Sequence, residues 1–454
     1  MKRTGFLLLA ASSLLLTVTA SAANRPHYGG TLHVAMRAAP SSLNPATASE
    51  IDWTGSPGLL SLIFDSLVTL DSRGRAQPAL AVSWQAEPGN QRWRFLLRRD
   101  VSWSDGTTLT PDTIAASLRA ANPAWKVFSS GDALIIERDA AAPDLPAELA
   151  LQRNRIARRD GGKLAGTGPF VVSQWDPRKK LVLIAREDYW DGRAFLDSIE
   201  IEMGKSFRDQ MISFDLGKNQ LIEIAPEEAR RAAAEGLRVD NSLPMELMAL
   251  VFTGAQPSAD DEHLRLALAL SIDRQLLNSV VLQGNGEPAG GLLPNWMTGY
   301  EPVFPVHLDM TRAQEERAEV SKTNLWNLAL DNNDPLERVI AERIVLSAHD
   351  AGLRLQIATG DAADVRIVRI PLASLDAHIA LTELAVAIGL PRPAFADSSI
   401  ESLYAAENGL LQSHRVIPLL QVRASHAISA TVMNWGDAGG GWEMPNLWLA
   451  PEKP

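Results

Sequence analysis

Residues 166–175 read Gly-Thr-Gly-Pro-Phe-Val-Val-Ser-Gln-Trp, and this stretch is more informative about the fold than any other in the chain. Two glycines around a threonine, followed by a proline, predict a sharp turn that leads directly into a strand. Tyr189-Trp190 and the short block 196–199, Leu-Asp-Ser-Ile, follow within 30 residues. We expect this turn to be structural, with Gly168 as a candidate for a positive φ angle.

Further blocks extend this pattern over most of the chain. They are residues 29–36, 42–45, 64–68, 78–84, 93–98, 101–110, 264–274, 286–289 and 415–419. In order and spacing, the whole set resembles the extracellular solute-binding proteins of family 5, the dipeptide, oligopeptide and nickel class that serves ABC importers. The resemblance is specific for the family and much less so for the ligand.

The resemblance implies an α/β fold, namely the two-lobed periplasmic binding protein fold of type II, similar to cluster C. It further implies a small extra subdomain in the first lobe and a hinge between the lobes. The expected divisions are a signal peptide at 1–22, lobe I at 23–57, 163–248 and 437–454, its small subdomain at 58–162, and lobe II at 249–436. The chain would cross between lobes at residues 249–253 and 431–441.

Local patterns predict mixed secondary structure. Asp334-Pro335 is a typical helix start, and apolar residues then recur at helical spacing as far as Gly352. Apolar runs at 325–330 and 353–357 flank this helix, so a strand-helix-strand unit is predicted. Thr110-Pro111 predicts the start of another helix.

The amino terminus is typical of an exported protein. Lys2-Arg3 precede an apolar run at 6–18, and Ala20-Ser21-Ala22 provides small residues for cleavage. The chain contains no cysteine, which excludes a lipid-anchored start at this cleavage point as well as disulfides. We therefore expect a cleaved signal peptide and a free periplasmic protein that is not a lipoprotein; a retained anchor is the alternative.

Charge and motif content narrow the function. A formal net charge of −11 argues against nucleic acid and anionic membrane surfaces as partners. The eight histidines never fall at the i, i+4 spacing of a helical metal site, and no phosphate-binding loop or nucleophile elbow is present. The sequence thus predicts no metal, no cofactor and no enzymatic activity.

Candidate ligand residues come from loops that the fold would bring to the cleft. The loop after the opening strand supplies Ser42, Asn44, Glu50, Asp52 and Trp53, and the predicted second-lobe loop and crossing supply Trp296, Trp435 and Asp437. A flat indole ring can stack on a ligand in a cleft, and these pieces would approach one pocket from both sides. The alternative is that Trp296 and Trp435 only fill the interface between lobes.

One departure from the family bears on the ligand. Peptide-binding members usually carry a Trp-x-x-Asp-like stretch followed by Asp-Pro, whose acid holds the peptide amino terminus, whereas residues 364–374 contain no such motif. A buried ammonium group needs an anionic partner, so the peptide interpretation is weakened unless Glu50, Asp52 or Asp437 takes that role. Residues 119–165 also form a shorter segment than in the family.

The resulting expectation is a monomeric periplasmic protein that captures a peptide-like or other small solute and delivers it to an ABC permease in the inner membrane. Closure of the hinge around the solute is the mechanism that the resemblance implies. The alternative is a degenerate family member that acts as a sensor, chaperone or protein-interaction module without transport. An intact polar pocket between the lobes favours the first interpretation, and a cleft filled by the protein's own side chains favours the second.

Overall fold

The computed structural model describes residues 25–47, 58–161, 163–254, 258–322, 325–331, 334–358, 363–436 and 444–451. The predicted signal peptide, residues 1–22, lies outside the described residues. Within the described ranges, no helix is both long enough and apolar enough to cross a membrane.

The secondary structure is mixed throughout. The strands are β1 Thr31–Ala35, β2 Val68–Leu70, β3 Ala76–Pro78, β4 Ala81–Ala86, β5 Arg92–Leu97, β6 Lys126–Ser130, β7 Ala133–Glu137, β8 Arg158–Asp160, β9 Lys163–Ala165, β10 Phe170–Asp176, β11 Lys180–Ala185, β12 Ser198–Glu202, β13 Leu221–Ile224, β14 Val239–Phe252, β15 Gly286–Pro288, β16 Leu325–Ala329, β17 Arg354–Ile357, β18 Val365–Pro371, β19 Val416–Ile428, β20 Val432–Met433 and β21 Trp448–Leu449. The α-helices are α1 Pro111–Ala121, α2 Leu145–Glu148, α3 Phe207–Asp215, α4 Ala229–Ala234, α5 Ala259–Ser271, α6 Arg274–Leu276, α7 Asn295–Thr298, α8 Met310–Ala318, α9 Pro335–Asp350, α10 Ala377–Ala387 and α11 Ile400–Leu411.

Eleven of the described strands form one mixed sheet that runs through both lobes. Its order is β10-β11-β12-β1-β13-β19-β14-β18-β16-β17, with β15 beside β19. The long strands β14 and β19 lie at its centre and pair with each other along most of their length. These two strands therefore belong to both lobes and connect them.

The first lobe is built on parallel strands whose apolar side chains alternate. In β1 and β12, Leu32 lies opposite Ile199 and Val34 opposite Ile201, and all four side chains are buried. Period-two alternation places these residues on one face of the sheet, where they form the core of the lobe.

The turn at 166–169 is structural, but its glycines are needed for a different reason than a positive φ angle. A Cβ atom on Gly166 would lie 2.0 Å from the carbonyl oxygen of Ile63, and one on Gly168 would lie 2.6 Å from the carbonyl carbon of Ile63. Neither glycine has a positive φ. The positive φ angle expected for Gly168 is therefore wrong. Gly168 N–H donates to the carbonyl oxygen of Ile63 at 3.0 Å, and this close approach of the 59–64 backbone leaves no room for a side chain.

Buried Asp65 joins three of the sequence blocks. Tyr189 and Trp190 donate to its carboxylate at 3.1 and 2.9 Å, and the 166–169 turn lies beside it. Burial raises the pKa of Asp65, and these hydrogen bonds together with Arg155 oppose that rise. The family blocks that are separate in the sequence thus meet at one polar group inside the first lobe.

After β1, the chain forms a small subdomain with a separate apolar core. Its antiparallel sheet has the order β4-β5-β7-β6, and α1 packs on it through Ile114, Ala115 and Leu118. Thr110 caps α1 in a reciprocal capping box with Thr113, and Pro111 is the first helical residue, as its sequence predicts. Its apolar core reaches from Leu67 to Ala165 in the chain.

The second lobe contains the predicted strand-helix-strand unit, β16-α9-β17, with β16 parallel to both β17 and β18. Asp334 caps α9 by accepting from the N–H groups of Leu336 and Glu337. Helices α5 and α9 contribute to one apolar core of this lobe, and α10 and α11 contribute to another. The sheet is thus covered on both faces by apolar side chains.

The pairing of β14 bears on the crossing predicted at residues 249–253. Ala249 pairs with Val368 of β18, well inside the second lobe, whereas the β14-β19 ladder is irregular between Asn241 and Glu246. The other expected crossing, 431–441, is described only as far as 436, and there Val432 belongs to the first-lobe core. We propose these irregular positions, 241–246, and the facing part of β19 as the hinge, because β14 passes there from one lobe's pairing to the other's.

Candidate functional site: the cleft between the lobes

The parallel strands of the two lobes end facing each other. In the first lobe β1 and β13 run in the same direction as β14, and in the second lobe β16 and β18 run in the opposite direction. Their carboxyl ends therefore converge on the space beside the crossing strands. Ligands of open α/β sheets bind at the carboxyl ends of parallel strands, so this cleft is the candidate site.

Arg37, Glu223 and Glu227 lie at the first-lobe edge of the cleft. The backbone N–H of Arg37, just after β1, donates to Glu223 Oε2 at 2.5 Å, and the Arg37 guanidinium lies over the Phe207 ring. Burial raises the pKa of Glu223, and its hydrogen bonds to Arg37 N–H and Gln210 partly offset this rise. Glu223 is therefore a largely satisfied group.

Glu227 differs from Glu223 in its hydrogen bonding. Its Oε2 atom is buried and has no hydrogen-bond partner among the described residues. Burial raises the pKa of Glu227, a hydrogen bond from its own backbone N–H opposes this rise, and the nearby carboxylates of Asp334 and Glu228 add to it. A buried, unpaired carboxylate oxygen at the edge of a cleft is an acceptor that a bound donor could satisfy.

On the second-lobe side, Arg369 forms the centre of a charged network. Its guanidinium donates to both carboxylate oxygens of Glu246, at 3.0 and 2.7 Å, and to Asp334 at 2.8 Å. Burial opposes the charged form of Arg369, but the two carboxylates outweigh it and keep its pKa above the ordinary value. Glu246 lies on β14, so Arg369 is fixed directly to the crossing strand.

Glu337, in the first turn of α9, adds a further acid. The N–H of Asp331 donates to its carboxylate at 2.8 Å. Burial raises the pKa of Glu337 to about 7, with Asp334 acting in the same direction and Arg369 against it. Near neutral pH this group is therefore poised between its neutral and charged forms.

The charges of the two lobes act on each other. Arg369 of the second lobe lowers the pKa values of Glu223 and Glu227 of the first lobe, and Asp334 raises that of Glu227. Along this edge, the cleft has more carboxylates than cations.

In the described part of the chain, no group of three or more His, Cys, Asp or Glu side chains is arranged to hold a metal ion.

A second contact between the lobes involves the small subdomain. Arg153 donates to both carboxylate oxygens of Glu383 on α10, at 2.6 and 2.9 Å. Nearby, Gly74 has a φ of +74°, and a Cβ there would lie 2.4 Å from the carbonyl oxygen of Leu375. Burial raises the pKa of Asp144, and Asp376 of the second lobe adds to that rise. The subdomain thus touches the segment that starts α10.

Of the predicted ligand residues, Glu50, Asp52, Trp53 and Asp437 lie outside the described residues. Ser42 and Asn44 form a local turn, in which Ser42 accepts from Asn44 N–H at 3.1 Å and Asn44 accepts from Ala46 N–H at 3.4 Å. The following turn packs against residues 152–154 of the small subdomain. These contacts give Ser42 and Asn44 a structural role in the loop after β1.

Trp296 and Trp435 both donate to the crossing strand β14. The indole N–H of Trp435 donates to Asp240 at 2.7 Å, and that of Trp296 donates to the carbonyl oxygen of Pro244 at 3.4 Å. Trp435 also packs against the first-lobe core. The two indole N–H groups therefore bond to different parts of β14, and the ligand role of Trp296 and Trp435 stays a prediction beside its alternative.

Sequence reasoning missed the charged residues of the cleft, Glu227, Asp334, Glu337 and Arg369. The sequence marks Asp334 only as a helix start. Arg369 lies in residues 364–374, the segment that lacks the acidic motif of the family. A usable signal was the position of these residues directly after or near the end of apolar strands, where side chains reach the cleft.

The fold and the cleft together define the class: a two-lobed binding protein whose site lies between lobes joined by paired strands. The chain matches the model of the bacterial extracellular solute-binding proteins, family 5 Middle, over residues 75–382, and it belongs to this family. The family resemblance found in the sequence is thereby confirmed.

Individual relatives agree with this assignment. The periplasmic murein peptide-binding protein MppA of Escherichia coli is 25% identical over 348 residues, which are 66% of this chain and 63% of MppA. The probable D,D-dipeptide-binding periplasmic protein DdpA of the same organism is 22% identical over 400 residues, 81% of this chain and 75% of DdpA. The chain is thus aligned with somewhat less than two thirds of MppA.

Solved structures show the fold. NikA from Staphylococcus aureus in complex with Ni(L-His)2 superposes with a TM-score of 0.77 at 16% identity, covering 92% of this chain and 100% of NikA. The Escherichia coli murein tripeptide binding protein MppA gives a TM-score of 0.78 at 17% identity, and the match covers 93% of this chain and 99% of MppA. The predicted two-lobed α/β fold is confirmed.

Proposed function

We propose that this chain captures a small solute between its two lobes and presents it to an ABC permease in the inner membrane. The observation that carries the proposal is the set of charged groups that face each other at the carboxyl ends of parallel strands, Glu227 on one lobe and Asp334, Glu337 and Arg369 on the other. Hinge motion at the irregular part of β14 would open and close this cleft.

The chemistry of the cleft favours a solute with an amino group. Arg369 is already paired with Glu246 and Asp334, so Glu227 and Glu337 are the acids left to offset the desolvation of a bound ammonium. They would take the role of the acid missing from residues 364–374. Peptide-like ligands fit this chemistry, and MppA and DdpA carry peptide and dipeptide names.

Several predictions from the sequence stay part of this proposal. The candidate ligand residues remain those predicted from the sequence: Ser42, Asn44, Glu50, Asp52, Trp53, Trp296, Trp435 and Asp437. The family consists of solute-binding proteins, so we also propose that this chain has no catalytic activity of its own. We also propose that the signal peptide is cleaved, that the protein lies in the periplasm without lipid attachment, and that it is monomeric.

The test starts with native mass spectrometry of the protein purified from its own periplasm, where a co-purifying small molecule is expected. Calorimetry then compares tri-alanine with N-acetyl-tri-alanine, which lacks the ammonium group. We expect tri-alanine to bind at least tenfold more tightly, and Glu227→Gln to reduce that preference, because the variant removes the charge of the unpaired acid.

Glu228→Gln is the matched control. Glu228 is the next residue, but its carboxylate pairs with Arg231 on the surface, at 2.9 Å. We expect this variant to bind like the wild type. Protein that carries no small molecule and binds neither peptide would contradict the proposal and favour the alternative of a protein-interaction module.

A further inference from the structure

One cation at the rim of the cleft has no charged partner. Arg37 follows the end of β1, at the carboxyl edge of the first-lobe strands. Its backbone N–H donates to Glu223, but among the described residues its guanidinium makes no hydrogen bond and no ion pair. By contrast, the Arg369 guanidinium is paired with both Glu246 and Asp334. Arg37 is therefore a cation that remains available to a solute.

The Arg37 guanidinium can be reached by a solute. The residue is half-buried, and none of its nitrogen atoms is among the described side-chain atoms that are buried without a partner. Glu223, whose charge acts on Arg37, is only 7% exposed. Its Oε2 atom accepts from the Arg37 backbone N–H and from Gln210, not from the guanidinium. A bound anion would therefore displace no carboxylate from the guanidinium.

Phe207, the first residue of α3, orients the guanidinium. The Cζ atom of Arg37 lies 4.5 Å from the centroid of the Phe207 ring. This cation–π contact covers one face of the planar group and leaves N–H donors along its edge. Such an edge binds a carboxylate through two parallel hydrogen bonds, and the stacked ring lowers the cost of ordering the side chain.

Arg37 and Glu227 follow neighbouring strands of the same lobe. Strands β1 and β13 are parallel, and Ala35 near the end of β1 pairs with Ile222 of β13. Neighbouring strands lie about 4.8 Å apart. Arg37 comes directly after β1 and Glu227 soon after β13, so an available cation and an unpaired acid lie along one rim of the cleft.

We propose that Arg37 is a specificity-determining residue of the cleft, which binds a carboxylate group of the solute through its guanidinium. The solute is then a zwitterion, with its ammonium group at Glu227 and its carboxylate at Arg37. This inference rests on the proposed function and adds to it the requirement for an anionic group. Solutes of the same shape whose carboxylate is amidated would bind poorly, because they cannot form the charge-assisted pair.

The test compares tri-alanine with tri-alanine amide, in which a neutral amide replaces the carboxylate and the ammonium group is kept. Calorimetry on the purified protein should show at least tenfold tighter binding of tri-alanine. Arg37→Gln should bring the two affinities to within about threefold of each other. The melting temperature of this variant should stay near that of the wild type, because the backbone N–H of residue 37 still donates to Glu223.

Arg208→Gln is the matched control for the loss of charge. Arg208 follows Phe207 on α3 and is exposed, so this variant removes a neighbouring positive charge but keeps the stacked guanidinium of Arg37. It should keep the preference for tri-alanine over the amide. Glu227→Gln should keep that preference as well, while it reduces the preference for tri-alanine over N-acetyl-tri-alanine.

These measurements separate the two proposals. Equal binding of tri-alanine and its amide by the wild type would overturn the role of Arg37, and so would an Arg37→Gln protein that keeps the wild-type preference. If tri-alanine is still preferred over N-acetyl-tri-alanine in either case, the proposed function stands without the role of Arg37. Protein that binds none of the three peptides would contradict both.

Discussion

Arg153 of the small subdomain and Glu383 of the second lobe form a two-pronged ion pair, with N–O distances of 2.6 and 2.9 Å. Both side chains are less than one third exposed. If the cleft opens by separation of the lobes, this pair breaks, so we expect it to act as a latch between the small subdomain and the second lobe.

We predict that Arg153→Ala shifts the protein toward the open state. If the Arg153–Glu383 ion pair stabilises the closed state by about 1–2 kcal/mol, its loss would change the ratio of closed to open molecules about 5- to 30-fold. Small-angle X-ray scattering should then show a larger radius of gyration without solute, and calorimetry should show weaker binding of the solute.

Arg138→Ala is the matched control for the latch. Arg138 pairs with Glu148 at 2.7 Å with similar exposure, and both residues belong to the small subdomain. Glu148 also lies 3.9 Å from Arg153, but the variant keeps both partners of the Arg153–Glu383 pair. This variant should leave the radius of gyration unchanged. If Arg153→Ala and Arg138→Ala give the same scattering curve, the ion pair does not control opening.

The second prediction concerns the turn at 166–169. Gly166→Ala and Gly168→Val should each lower the free energy of unfolding by about 1–3 kcal/mol or more, because the new side chain collides with the backbone of Ile63. Thermal and urea denaturation measure this loss.

Gly409→Ala is the control for these glycine variants. Gly409 is a residue of α11, a Cβ there would meet open space, and its φ is not positive. Alanine should therefore stabilise the protein by about 0.5–1 kcal/mol. A Gly166→Ala protein that melts at the wild-type temperature would show that the contact with Ile63 is not tight.

The third prediction is a pH dependence from Glu337. Its pKa is raised to about 7 in the folded state, so the folded protein holds a proton that the unfolded chain loses near pH 4.5. Unfolding then releases a proton, and stability falls as pH rises from about 4.5 to 7 and stays low above 7. The full effect is on the order of 3 kcal/mol.

Glu337→Gln should remove this part of the pH dependence, since glutamine stays neutral and can still accept from Asp331 N–H. The difference in unfolding free energy between variant and wild type is measured at pH 4.5 and pH 7.5. Glu342→Gln, on the exposed side of α9, is the control and should show no such change. A constant difference between wild type and Glu337→Gln at both pH values would count against the raised pKa.

The fourth prediction separates two roles of Trp435. Trp435→Phe keeps an aromatic ring but loses the hydrogen bond to Asp240, and Trp435→Ala loses both. We expect both variants to lower the free energy of unfolding, by about 1–3 kcal/mol for alanine. If the ring also contacts the solute, Trp435→Ala should weaken binding by roughly 1–3 kcal/mol, while Trp435→Phe should retain most of the affinity.

Trp175→Phe serves as the control, because Trp175 packs against the same first-lobe core from the edge strand β10. It should affect stability but leave solute binding unchanged. Equal affinities of the wild type and Trp435→Ala would leave Trp435 with a structural role at the hinge alone.

Much of the fold could be predicted because it depends on local chemistry. The Asp334-Pro335 helix start and the Thr110 cap each mark a helix start that their own neighbours determine. The glycines at 166 and 168 mark a turn, but the distant backbone of Ile63 is what requires them. The position of the hinge could not be predicted in this way. It depends on which part of β14 pairs with β18, and residues 365–371 are more than a hundred positions away in the chain.

The sequence by itself determined the family, through ordered blocks that resemble it, and the two-lobed α/β architecture that this resemblance implies. Apolar periodicity, caps and tight turns determined local helices and strands, because they are properties of short segments. Only the tertiary structure decided which charges meet in the cleft. Glu227 and Arg369 come from different lobes, and the sheet brings them close by running the parallel strands of the two lobes toward each other. Burial raises the pKa of Glu227, and the charge of Arg369 works against that rise. No local pattern in the chain contains either effect.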